Sequence, residues 1–143
     1  MTASSEDSSI ADVLRDIDLE NYLIPDGILV AKTLLRLPQE VQFRVRSEVR
    51  FITMTSFTGL TISLKSSRQW IILLNFDRMK QDHLSEKGIA TCIAHEIAHF
   101  ILGHTTGTSE TERDADDLCE KWGFGREYDD YKKFQDPKKN ATR

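Results

Sequence analysis

Cysteine is scarce in this 143-residue chain, with Cys92 and Cys119 the only two. They sit in separate apolar helical patterns and form no Cys-x-x-Cys pair, which argues against a disulfide framework and points to a reducing compartment. An excess of basic charge is missing as well: 19 Lys and Arg stand against 23 Asp and Glu, a net charge of −4, with a sequence pI near 5.6. The chain therefore lacks a broad electrostatic footprint for nucleic acid, and only a local patch could serve one. Long apolar runs are absent too. Trp70-Ile71-Ile72-Leu73-Leu74 falls far short of the ~20 residues a helix needs to span a bilayer. The opening MTASSEDSSI carries neither the basic n-region nor the apolar h-region of a secretory signal. Together these absences set the expectation of a soluble, cytoplasmic protein with no membrane partner.

What remains is an ordinary globular composition, 39% hydrophobic and 29% charged, in a chain about one domain long. The sequence predicts a single domain over residues 10–136, between a disordered N-terminus (1–9) and a flexible tail (137–143). Ile10, Val13, Leu14 and Ile17 recur at helical spacing, as do Ile28, Leu29, Leu34 and Leu35 between Pro25 and Pro38. A third helix is expected through PQEVQFRVRSEVR. Then FITMT, GLTISLK and RQWIILLNF turn rich in β-branched and aromatic residues, which reads as two or three antiparallel strands. The helical period returns after Asp82. Ser85 is placed to cap the next helix, with Leu84 and Ile89 where a hydrophobic staple closes and Gly103 as the stop. A further helix is expected from an N-cap at Ser109 to about Trp122, and a short one over REYDDYKKF. Helices, a small mostly antiparallel sheet, then helices make an α+β fold.

The Ser85 helix carries HEIAH, residues 95–99. His95 and His99 lie one turn apart, about 40° around the axis, so both imidazoles can reach one ion. Glu96 projects roughly 100° from His95, where it can meet a water without being a ligand. Zinc suits imidazole nitrogen, and its catalytic sites combine three protein ligands with an open position. Glu96 would then act as the general base of a peptidase. Apart from this group the helix is almost wholly apolar, and ionisable side chains there need a partner. Three residues qualify as a third ligand: His104, Glu112 and Asp116. His104 misses the H-E-x-x-H-x-x-G-x-x-H spacing, whose last position here is Thr105, and it follows the expected helix stop. Glu112 and Asp116 share a face of the next helix, with the small Ala115 between them. Glu112 also fits a capping box with Ser109, in which it would only bond back to its own helix start.

The pair HEIAH and ERDAD resembles the gluzincin pattern H-E-x-x-H…E-x-x-A-[D/N] of ImmA/IrrE-type metallopeptidases, minigluzincins and HtpX-like membrane endopeptidases. The membrane group is set aside by the missing spans. The resemblance covers about 30 residues and implies a zincin-like fold, Zn2+ held by His95, His99 and Glu112, and catalysis by Glu96. It makes Asp116 a supporting residue, the role metal chemistry would also give a carboxylate that accepts the free N–H of a ligating imidazole. It further implies a substrate strand laid along a sheet edge, for which QWIILLNF is the candidate, with a buried core strand as the alternative. DLCEKWGF and the short gap from His99 to Glu112 depart from the ImmA pattern. The expected function is a zinc metallopeptidase acting on a cytoplasmic protein, such as a repressor. The alternatives are a non-catalytic zinc module for regulation or protein interaction, and a DNA-associated regulator using Arg36, Arg44, Arg46 and Arg50. Glu40 and Glu48, interleaved with those arginines, favour a solvated helix face instead.

Overall fold

Helical spacing of apolar residues near the N-terminus leads directly to the first packing layer. In the computed structural model, which describes residues 5–17, 25–53, 59–64 and 69–124, Ile10, Val13 and Leu14 are buried on one side of α1 (Ser5–Asp16), and Ile17, just past its end, is buried as well. α1 begins inside the stretch expected to be disordered, because a helix anchored by that buried stripe continues for a turn beyond its first core residue. α2 (Pro25–Leu35) buries Val30, Ala31 and Leu34 and packs on α1. α3 (Gln39–Glu48) buries Val41 and Val45. It ends two residues earlier than expected, since Val49 and Arg50 already belong to β1 (Val49–Thr53).

β2 (Gly59–Leu64) and β3 (Gln69–Leu74) complete a three-stranded sheet of order β1-β3-β2. β3 pairs antiparallel with β2, Ile71 opposite Ile62, but parallel with β1, Val49 opposite Trp70. The sheet is therefore mixed, which corrects the expectation of a mostly antiparallel one. Alternation along a strand specifies its two faces but says nothing about which neighbour it meets or in which direction. The same topology corrects the placement of the substrate strand. β3, the core of QWIILLNF, is the central strand with both hydrogen-bonding edges taken, so no further strand can pair with it. Ile72 and Leu74 are buried in the core, and the Trp70 ring, on the same face, meets Phe100 edge-on at 5.3 Å.

α4 (Phe76–Gln81) stands where the sequence suggested the end of a strand. Asn75 caps it by accepting from the Arg78 N–H at 2.9 Å, a short-range competition that ends β3 at Leu74, the residue before the cap. α5 (Glu86–Leu102) and α6 (Ser109–Lys121) follow. α5 packs against α2, α6, β2 and β3 and is buried along most of its length. The described residues share one hydrophobic core, from Ile10 of α1 to Phe124 after α6. No described helix is long and apolar enough to cross a membrane. The arginines considered for DNA contact are tied into the fold. Arg36 lies over the Phe124 ring at 4.1 Å, Arg44 pairs with Glu48 at 3.2 Å, Arg46 pairs with Asp16, and Arg50 donates to the Val49 carbonyl. REYDDYKKF and the tail lie outside the described residues.

Candidate metal centre

Two helix ends build the site. At its start α5 is capped by Ser85, whose hydroxyl accepts from the Gly88 N–H at 3.1 Å. At its end Gly103 adopts φ +69°, the left-handed conformation that glycine enters without a Cβ penalty. There the Gly103 N–H donates to the Phe100 carbonyl and the His104 N–H to the His99 carbonyl. That pair of bonds is a Schellman motif with His99 and His104 at the two positions it brings together.

α6 starts differently from expectation. Thr108, not Ser109, is the N-cap: its hydroxyl accepts from the Thr111 N–H at 3.1 Å, and the Thr111 hydroxyl accepts from the Thr108 N–H at 2.8 Å. The capping box sits one residue upstream of the one the sequence allowed. Glu112 is left out of it, and its carboxylate turns to the histidines instead. Ala115, fully buried, lies on the α6 face toward the core, and the missing bulk there lets α6 approach α5.

His95 and His99 are both buried on α5, with rings edge-on at a centroid distance of 4.6 Å. Their Nε2 atoms lie 3.1 Å apart, and Glu112 Oε2 is 2.7 Å from the first and 3.3 Å from the second. His95, His99 and Glu112 could hold a metal ion. A tetrahedral ion with bonds of ~2.0–2.1 Å keeps neighbouring donor atoms about 3.3 Å apart. Two of the three separations match this, and the third is shortened as a shared proton shortens it. Two imidazoles and one carboxylate favour a first-row ion such as zinc over calcium or magnesium, which prefer oxygen throughout.

The electrostatics favour a cation at the same point. Burial alone would lower the pKa of His95, but hydrogen bonds to Asp116, Cys119 and Glu112 outweigh it and push it up to about 11. Hydrogen bonds from His95 and His99 hold the Glu112 carboxyl well below the usual range. The positive charge these carboxylates collect is then a proton on His95, which a metal ion would replace. Asp116 is not one of the three converging donors. Its Oδ1 lies 3.2 Å from His95 Nδ1, on the side away from Glu112.

Glu96 points elsewhere, as its position between the histidines requires. It lines an open cavity of about 130 Å3 with Thr61, His99, His104, Glu112 and residues 105–107. Desolvation raises the Glu96 pKa, while the charge on His95 and a hydrogen bond from Thr61 oppose the rise. The Thr61 hydroxyl, on β2, lies 2.8 Å from Glu96 Oε1 and 3.0 Å from the Glu96 carbonyl oxygen. Thr61 is absent from the sequence reading, and nothing local marks it, since it lies 35 residues from Glu96. His104 does not join the donor set either. Its Nδ1 sits 3.0 Å from His99 Nδ1, behind the ring. Cys92 and Cys119 are buried free thiols. Tyr128 and Tyr131, whose hydroxyls are of the kind that can stabilise an oxyanion, lie outside the described residues.

Compared with known proteins, the chain matches no family model, no curated protein and no solved structure.

Proposed function

We propose that this protein is a zinc-dependent metallopeptidase of the gluzincin type, with a zincin-like arrangement of α5 and α6, that hydrolyses a peptide bond in a cytoplasmic protein. A regulatory protein such as a repressor is the substrate class that the resemblance implies. The observation that carries this reading is Glu112 Oε2, which a different helix delivers to within 2.7 and 3.3 Å of two imidazole nitrogens. His95, His99 and Glu112 are the ligands, and Asp116 orients His95 through Nδ1. Zinc, when bound, supplies a Lewis acid that polarises a carbonyl and lowers the pKa of a bound water towards ~7.

Glu96 is the general base. Its desolvated carboxylate is a stronger base than one in water, and the Thr61 hydroxyl holds it toward the cavity. It takes a proton from the attacking water and returns it to the amine nitrogen as the C–N bond breaks. The cavity beside His99 and Glu112 leaves room for that water and a substrate carbonyl, whereas a structural zinc site is closed by four protein ligands.

Two substitutions test the reading. Glu96→Gln should keep the zinc content of the wild type and lower turnover by ~10^2–10^4-fold, the usual contribution of a general base. Read by mass spectrometry of native lysate, new peptide termini should appear with wild type and not with the variant. Identical termini with both would leave a non-catalytic zinc module as the better account. Glu112→Gln should lose zinc on dialysis, and retention of a full equivalent would remove Glu112 from the ligand set.

A further inference from the structure

His99 has two ring nitrogens, and the metal reading uses only Nε2. The other, Nδ1, faces Nδ1 of His104 at 3.0 Å, with the rings 5.2 Å apart and inclined by 62°. Two neutral imidazoles at this distance can bond in only one way, with one nitrogen donating its hydrogen and the other accepting it. If Nε2 of His99 gives its lone pair to a metal, its hydrogen must sit on Nδ1. His104 Nδ1 is then the acceptor, and the His104 hydrogen moves to Nε2.

The placement follows from how α5 ends. A Schellman motif brings together the side chains of its C3 and C″ residues, where apolar pairs commonly meet. Here those residues are His99 and His104, and the motif is closed by the His104 N–H donating to the His99 carbonyl at 3.0 Å, with Gly103 at φ +69°. His104 is thus held to His99 through both main chain and side chain, on a turn that glycine makes possible.

We infer that His104 is a positioning residue for the metal centre: its Nδ1 accepts the Nδ1–H of His99 and so locks the ring in the tautomer and orientation that present Nε2 to the ion. It stands to His99 as Asp116 stands to His95, on the face of the ring turned away from the shared point. The partners differ in kind. His95 is backed by a carboxylate and His99 by a second imidazole. The inference rests on the metal reading above and adds to it a residue outside the ligand set.

The test measures zinc affinity by competition with a chromophoric chelator in the full chain. His104→Leu removes the acceptor, and affinity should fall by ~10–100-fold, as it does when the outer partner of a ligating histidine is lost. His104→Asn puts Oδ1 where the imidazole carries Nδ1, so affinity should recover to within a few-fold of wild type. A purely space-filling role predicts the reverse order, because Leu resembles the ring in bulk more closely than Asn does. In zinc-loaded wild type, nitrogen chemical shifts should report the Nδ1–H tautomer for His99 and Nε2–H for His104. Equal affinity of wild type and His104→Leu, no recovery with Asn, or the Nδ1–H tautomer on His104 would each overturn the inference while leaving the three-ligand site standing. A wild-type chain that fails to bind zinc would instead overturn the site itself and this inference with it.

Discussion

His95 lies between two carboxylates, Glu112 on its Nε2 side at 2.7 Å and Asp116 on its Nδ1 side at 3.2 Å. A buried imidazole tolerates that position as a cation or as a metal ligand, since either offsets the nearby negative charge. That the two histidines share a face was legible in the sequence, because i,i+4 spacing on a helix is local geometry. Helix spacing alone did not separate Glu112 from Asp116, since each can be drawn on the same face of α6; only the resemblance of ERDAD to E-x-x-A-D pointed to Glu112, the residue that faces both Nε2 atoms. The cysteines close by follow a simpler rule. Cys92 and Cys119 are buried, and desolvation raises both thiols, while a hydrogen bond to His95 partly opposes the rise at Cys119. Reactivity requires thiolate. Neither thiol should react with iodoacetamide at pH 8 in the folded protein, and both should react once urea unfolds it. A native thiol labelled as fast as free cysteine would show that the burial is wrong.

At the scale of elements, the site is a junction between the C-terminal half of α5 and the first turns of α6. Ser85 and Gly103 were readable as the limits of α5, because a hydroxyl N-cap and a left-handed glycine act within one turn. The cap of α6 was misread by one residue, as Thr108 and Ser109 are both good N-caps and local chemistry hardly separates them. Thr108 takes the role by exchanging hydrogen bonds with Thr111, and that leaves Glu112 out of the cap. Ala115 sits one turn after Glu112 and is fully buried in the core. Ala115→Leu should therefore push α6 away, costing about 1–3 kcal/mol in urea unfolding as overpacked cores do. Zinc affinity should fall with it because Glu112 moves along with its helix. Unchanged zinc affinity in the destabilised variant would mean that Glu112 does not need the close approach.

For the whole molecule, the proposed site would couple folding, protons and metal. In the metal-free protein His95 is raised from 6.5 to about 11, so its contribution to stability is complete below pH 6.5 and is lost as pH rises toward 11. Glu112 is lowered from 4.5, so its contribution is present above that value and is lost as pH falls below it. The stripped protein should be most stable between about pH 4.5 and 6.5 as far as these two groups govern it. Under the proposed metal site zinc would act in the opposite sense, since it would have to displace the His95 proton and so would bind more tightly as pH rises. The difference in Tm between zinc-loaded and stripped protein should therefore widen from pH 6 to pH 8.5. Calorimetry in buffers of different ionisation heat should show about one proton released by His95 per ion bound. A Tm difference independent of pH would rule out proton displacement at His95. The sequence by itself determined the helical segments other than α4, the ends of α5 and the pairing of His95 with His99, because periodicity, capping and i,i+4 geometry act over one or two turns. Only the tertiary structure decided the order and direction of the strands, the turn of Glu112 toward both imidazoles, and the arrival of Thr61 at Glu96. Those outcomes depend on contacts between segments far apart in the chain, and such contacts leave no local pattern to read.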